Sequence, residues 1–238
     1  GFFYGRITGL LGFTPCRHEG KITGLAAHGD PDKAISLMRQ MIDLNDTTIS
    51  AKLGPLFRPF YTNYDDELIE EIGRLKREDV AAAAQQHLEY IVVGYLQMMA
   101  DSGAIKSKNL GLAGGVFGNV RLTHRIKESE LFENVFVQPQ MGDGGLCLGA
   151  AGLDQHALGL DIEPIKTMYL GSRIETSQMT AVAAKIPSLT VEVLDQDTLI
   201  AKLVDDLGKN KVIGLVRGRM EFGPRALCHR SILYKASD

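Results

Sequence analysis

The sequence predicts an α/β fold made of two successive series of strands and helices. First, two strand-like apolar runs each lead through a glycine-rich turn into a helical pattern: residues 109–115 into 116–127, and residues 134–139 into 145–158. Strand–turn–helix units in series bring strand C-termini to one edge, where α/β layers carry their sites. Second, the composition shifts at residues 161–166, where Asp161, Glu163 and Pro164 read as a linker. Third, the alternation then restarts, with strands expected at 167–170, 189–194 and 211–216 and helices at 176–185 and 196–207. The expected division is therefore 1–160, a linker at 161–166, and 167–238.

The elements follow in chain order. Residues 1–29 alternate apolar side chains with glycines, which reads as strands and tight turns. Asp30-Pro31 opens an amphipathic helix with Ala34, Leu37, Met38 and Met41 on one face. Residues 45–64 carry prolines, a glycine and several aromatics and read as strand and loop; the segment 57–64 is a candidate pocket lining. Residues 65–75 form a helix whose acidic first turn suits the helix dipole. The longest element spans 77–101, where Val80, Ala84, His87, Leu88, Ile91, Tyr95, Met98 and Met99 recur at helical spacing and mark one buried side. Its methionines read as core filler. His87, His124 and His156 fall within helical patterns and read as structural or exposed.

Composition excludes several classes. The 238 residues are 45% hydrophobic and 23% charged, as in ordinary globular proteins, and the net charge of −3 gives no global field for nucleic acid. No apolar run approaches the roughly 18 residues that a membrane span needs. Cys16, Cys147 and Cys228 are well separated and form no C-x-x-C pair. Neither a disulfide framework nor a zinc site is expected, and a reducing cytoplasm is the default setting.

Four stretches carry candidate chemistry. In Leu112-Ala113-Gly114-Gly115-Val116-Phe117-Gly118-Asn119, paired glycines follow a strand and precede a helix N-terminus. They serve either close approach of a nucleotide or a tight turn for helix–sheet packing, and Asn119 either bonds a ligand or caps the helix. In Gln138-Pro139-Gln140-Met141-Gly142-Asp143-Gly144-Gly145, Asp143 is the one charged side chain. It reads equally as an N-cap or as a metal or ribose ligand. Around Glu19 and Lys21, His18 and His28 lack metal-ligand spacing, and the stretch reads as a solvated turn with a helix start. Finally, Arg217, Arg219, Arg225 and Arg230 cluster around the rigid Phe222-Gly223-Pro224 turn. Arginine forks match phosphate and carboxylate oxygens, while salt bridging with Glu221 is the alternative.

Taken together, Glu19-Gly20-Lys21-Ile22-Thr23-Gly24-Leu25-Ala26, the 112–119 turn, Gly142-Asp143-Gly144-Gly145 with Gly149-Ala150-Ala151, and Glu221-Phe222-Gly223-Pro224-Arg225-Ala226-Leu227 resemble the NodU-type O-carbamoyltransferase family, in family order over nearly the whole chain. The last run is the most specific. The resemblance implies an actin-like ATPase (RNase H-like) half-domain followed by a partial YrdC-like α/β domain. It implies ATP and carbamoyl phosphate as substrates of the YrdC-like part, with carbamoyl-adenylate as intermediate. The actin-like part would then transfer the carbamoyl group to a hydroxyl of a small-molecule acceptor, a sugar or antibiotic precursor. By the same resemblance, Gly114, Gly115 and Asn119, with Glu19, Lys21 and Arg219, would contact cofactor. Asp143 would ligate a divalent metal, Fe or Mg, and Arg225 and Arg230 would neutralise phosphate oxygens.

Two departures stand out. The H-x-x-x-H metal pair of the family does not occur here, and Cys228 stands where the motif usually has glycine. The family carries that pair upstream of Gly1 and continues past the arginine motif. The chain is thus expected to be the later half of the first domain plus the start of the second, and inactive alone. A sugar or acetate kinase of the same superfold would share the paired glycines but not the 221–227 run. A non-catalytic nucleotide-binding module is the third reading.

Overall fold

The computed structural model describes residues 1–46, 48–58 and 64–235, in two compact units, Gly1–Asp143 and Gly144–Asp238. Most of the 57–64 aromatic segment lies outside the described residues; Phe57 itself is buried. Among the described residues, no helix is long and apolar enough to cross a membrane.

The first unit begins with helices where strands and turns were expected. α1 (Phe2–Leu10) replaces them, and α2 (Glu19–Leu25) follows at the helix start read around Glu19. Phe3, Tyr4, Ile7 and Leu11 are all buried, and their spacing is the helical one. The glycines that suggested turns are helix residues admitted by close packing: at Gly9 a Cβ would collide with the Tyr64 hydroxyl. The helix opened by Asp30 is divided. Asp30 caps a short 3-10 turn, accepting the Asp32 N–H at 3.1 Å, and α3 (Ile35–Met41) follows. β1 (Ile42–Leu44) and β2 (Ile49–Ala51) then pair antiparallel, with Asp43 opposite Ser50.

After α4 (Asp66–Gly73), the 25-residue α5 (Arg77–Asp101) spans the unit. Its buried face runs from Val80 through Ala81–Ala84 to Leu88 and Ile91. The alanines let the turns at 26–28 and 31–33 lie close against the helix, and a Cβ at Gly29 would strike the Glu78 carbonyl. β3 (Asn109–Leu112) and β4 (Asn134–Val137) are parallel neighbours, with Leu110 opposite Val135, joined through α6 (Val120–Glu128). Leu122 and Ile126 of α6 are fully buried. Each such side chain contributes about 1.5–3 kcal/mol on leaving water. This strand–helix–strand unit is the expected α/β element.

The second unit holds α7 (Leu146–Ala157), α8 (Thr176–Ala183), α9 (Gln196–Gly208), β5 (Ile213–Val216) and β6 (Arg230–Leu233). β5 and β6 pair antiparallel with Val216 opposite Arg230. Residues 158–167 carry no regular structure. Neither 167–170 nor 189–194 forms a strand. Near the first, Arg173 makes an isolated bridge to Arg219, and Gly218, at φ +49°, bends the partner chain so that no ladder extends. The second alternates like a strand, yet Leu189, Val191 and Val193 are exposed and pair with no neighbour, which a strand requires. The three cysteines are exposed and free.

Candidate functional site

The two glycine-rich turns of the first unit lie at the C-terminal ends of the parallel strands and are bonded to each other. Gln138 N–H donates to the Leu112 carbonyl at 2.9 Å, and Gly114 N–H to the Met141 carbonyl at 2.6 Å. Gly114 sits at φ +111°, a conformation that disfavours any residue with a Cβ. No heavy atom comes within 4 Å of where a Cβ would stand at Gly114, Gly115 or Gly142. The turn therefore leaves space beside its backbone.

Asn119 does not point into that space. Its side chain is buried, and Oδ1 caps α6 by accepting the Leu122 N–H at 3.0 Å. The rest of its amide pairs with Gln85 of α5. Asn119 Nδ2 donates to Gln85 Oε1 at 2.8 Å, and Gln85 Nε2 donates back to Asn119 Oδ1 at 3.3 Å. The Tyr4 hydroxyl of α1 also donates to Gln85 Oε1, at 2.8 Å, and lies 3.1 Å from Thr23 Oγ1 of α2. Burial pushes the Tyr4 phenol up to about 12, so it remains a donor at neutral pH. Gln85 Nε2 further donates to Glu89 at 2.8 Å, and Glu89 faces Arg121 and Arg125 of α6 at 3.6 and 3.5 Å.

Of the other predicted residues in this unit, Glu19 Oε1 accepts the Cys16 N–H at 2.6 Å and so closes the loop before α2. The Lys21 ammonium stands 5.6 Å over the Phe13 ring. Asp143 is exposed in the second turn. Among the described residues, no group of three His, Cys, Asp or Glu side chains is placed to hold a metal ion.

Among the described residues of the second unit, Glu221 is the buried charge, and it organises the arginine segment. Its Oε1 accepts three backbone N–H groups: Leu227 at 2.9 Å, His229 at 2.7 Å and Arg230 at 2.9 Å. Burial alone would raise this carboxyl. The N–H groups of Arg230, Glu221 itself, Leu227 and His229 outweigh burial and hold the pKa at about 2. A carboxylate thus takes the place of a ladder partner where the chain turns between β5 and β6.

The arginines divide by what they touch. Arg219 donates from Nε to the Gly171 carbonyl at 3.0 Å and from Nη2 to the Leu170 carbonyl at 3.2 Å. Arg230 donates from Nη1 to the Arg217 and His229 carbonyls, both at 2.8 Å, and from Nη2 to the Gly218 carbonyl at 3.3 Å. Both guanidiniums brace main chain. Arg225, just after Pro224, and Arg217, at the end of β5, are exposed. Cys228 adopts φ +67°, the conformation that explains a glycine at this place in the motif.

Tyr4 and Gln85 were not singled out from the sequence. The available signal was the first of two glutamines following four alanines, the one that falls on the buried stripe of α5. Tyr169, whose hydroxyl donates to the Leu227 carbonyl at 3.0 Å, carried no motif at all.

The family profile for the carbamoyltransferase N-terminus matches residues 1–152, and that for the carbamoyltransferase C-terminus matches residues 204–238. The nodulation protein NolO of Bradyrhizobium diazoefficiens is 34% identical over 90% of this chain and 39% of its own length. The uncharacterized protein MJ1058 of Methanocaldococcus jannaschii is 32% identical over 100% of this chain and 40% of its own. A nodulation protein U of Sinorhizobium fredii is 28% identical over 71% of this chain and 28% of its own. The chain thus spans about two-fifths or less of the length of these relatives. With the N-terminal profile covering more than half of its residues and the C-terminal one following in order, the chain belongs to the carbamoyltransferase family.

Proposed function

We propose that this chain is part of an ATP-dependent O-carbamoyltransferase. In this reading the first unit belongs to an actin-like ATPase domain and the second opens a YrdC-like domain. In the YrdC-like part water cleaves carbamoyl phosphate with release of phosphate, and the carbamate oxygen attacks the α-phosphorus of ATP, displacing pyrophosphate and giving carbamoyl-adenylate. In the actin-like part a hydroxyl of a small-molecule acceptor attacks the carbamoyl carbon, loses its proton and displaces AMP. A cytoplasmic setting suits three exposed free thiols. The observation that carries the reading is the arginine segment folded around Glu221, in a chain that matches both ends of the family.

Each part of the chain has a definite task in this reading. Arg225, exposed beside a rigid proline turn, meets phosphate oxygens and neutralises charge on the leaving group. Arg219 and Arg230 hold the backbone that presents it. Gly114 and Gly115 leave space for the adenine nucleotide to lie against the main chain of the turn. Asn119 shapes that turn from beneath. A divalent metal, Fe or Mg, would need ligands beyond Asp143, so the steps given to this chain run through its own side chains.

The test is turnover by the full-length protein, followed as AMP and pyrophosphate release from ATP in the presence of carbamoyl phosphate. Arg225→Ala is expected to abolish it, and unchanged turnover would remove Arg225 from the site. The 238-residue chain alone is expected to be inactive, and robust turnover by it would overturn that division of labour.

A further inference from the structure

Tyr4 and Gln85 belong to none of the stretches that carry the family resemblance, yet they join two of them. The hydrogen-bond capacity of the network settles its orientation. The Leu122 N–H can only donate, so Asn119 must present Oδ1 to it and Nδ2 to Gln85. Gln85 therefore presents Oε1 to Asn119, and the Tyr4 hydroxyl must donate to that same oxygen. Both lone pairs of Gln85 Oε1 are then filled, by Tyr4 and Asn119. Both Nε2 protons are placed as well, on Glu89 and Asn119. Every donor and acceptor of one buried amide is used, on a helix face lined by Val80, Ala81, Ala84, Leu88 and Ile91.

The network also closes on itself. From Asn119 at the start of α6 it runs through Gln85 to Glu89, and from Glu89 back to Arg121 and Arg125 on the same helix. α6 is thereby held at its cap and along its first two turns, while the Tyr4 hydroxyl and Thr23 connect it to the 19–26 stretch. A buried amide with all four bonds made permits one arrangement and penalises every other.

We propose that Tyr4 and Gln85 are positioning residues that fix the 112–119 turn in its ligand-accepting form and couple it to α2. The binding half of this proposal rests on the reading of that turn as the nucleotide contact; the positioning half does not. The experiment therefore uses two readouts on the full 238-residue chain. Backbone amide exchange is compared between residues 114–122 and residues 88–96 of α5, and ADP affinity is measured by calorimetry. Tyr4→Phe keeps the buried ring and deletes one hydroxyl, whereas Gln85→Met removes the amide at similar length.

Both variants are expected to speed exchange in 114–122 about tenfold, with residues 88–96 unchanged within about twofold, and to weaken ADP binding about tenfold, which is about 1.4 kcal/mol. Exchange that rises equally in both segments, or in neither, overturns the positioning role. A loosened turn with unchanged ADP affinity overturns the link to binding. A wild-type chain that binds no ADP overturns the nucleotide reading, while exchange still decides whether the turn is held from Tyr4 and Gln85. Tyr4→Phe, the milder change, decides alone if Gln85→Met does not fold.

Discussion

The imidazole of His229 lies flat on the ring of Tyr169, with centroids 3.7 Å apart and planes within 15° of parallel. His229 Nδ1 sits 2.7 Å from the Arg219 carbonyl, which can only accept, so that nitrogen carries the proton. The Tyr169 hydroxyl meanwhile reaches the Leu227 carbonyl. Ring stacking and one hydrogen bond together pin the far end of the arginine segment. Tyr169→Phe keeps the stack and is expected to cost about 1 kcal/mol; Tyr169→Ala loses both and is expected to cost about 2–3 kcal/mol. Chemical denaturation of the chain measures both, and equal costs would show that the stack contributes nothing.

The Glu221 carboxyl predicts a response to acid. Its folded pKa of about 2 lies below the ordinary 4.5, so its stabilising effect is complete above about pH 4.5 and is lost as pH falls toward 2. Acid titration followed by circular dichroism should show wild-type stability declining through that window. Glu221→Gln, which cannot ionise, should be less stable at pH 7 and flatter between pH 4.5 and 2. A variant as steep as the wild type in that range would assign the acid sensitivity elsewhere.

Cys228 holds a left-handed conformation with φ +67°, and its N–H donates to Ser231 Oγ at 3.1 Å. Cys228→Gly should relieve the strain and raise stability by about 0.5–1 kcal/mol, net of the greater freedom of glycine in the unfolded chain. Cys228→Val should destabilise by more than that, because a β-branched side chain fits this region worst. Thermal unfolding of the three proteins gives the order directly.

His87 is fully buried, with Nε2 donating to the Ile42 carbonyl at 2.8 Å and Nδ1 lacking a hydrogen-bond partner. Burial is the main cause that lowers its pKa from 6.5; Asp43 pulls it up and Arg39 and Lys52 push it further down. A buried neutral histidine binds fewer protons folded than unfolded. The stability it permits is therefore complete above pH 6.5 and is lost as pH falls below that value. His87→Gln keeps an N–H for the Ile42 carbonyl and should flatten the decline below pH 6.5. An unchanged slope would mean that other groups set it.

The sequence was most legible where one periodicity acted alone. α5 begins and ends at the residues its apolar spacing marks, and both strand–turn–helix units around 109–158 are present. It was least legible where glycine carried two meanings. In α1, Gly5 and Gly9 look like turn residues, but they are helical positions that admit Glu19 and Tyr64. Strands were misread for a different reason. Residues 189–194 have the alternation of a strand, but a strand exists only with a partner, and nothing in a local pattern names one. β6, which does pair, was hidden behind Arg230 and Ser231. At the candidate site, residue types identified the glycine turns and the arginine segment. The bonds that hold them, from Gln85 and Glu221, join residues 34 apart or reach main-chain atoms, and residue spacing records neither.

Three main-chain N–H groups converging on one oxygen of Glu221 leave residues 222–229 little freedom to rearrange. The conformational entropy of ordering such a segment, about 1–2 kcal/mol per residue, is incurred when the chain folds rather than when a ligand binds. Under the proposed function, a phosphate meeting Arg225 would encounter a guanidinium on a backbone already in place, so its interaction energy would appear as affinity instead of being consumed in shaping the protein.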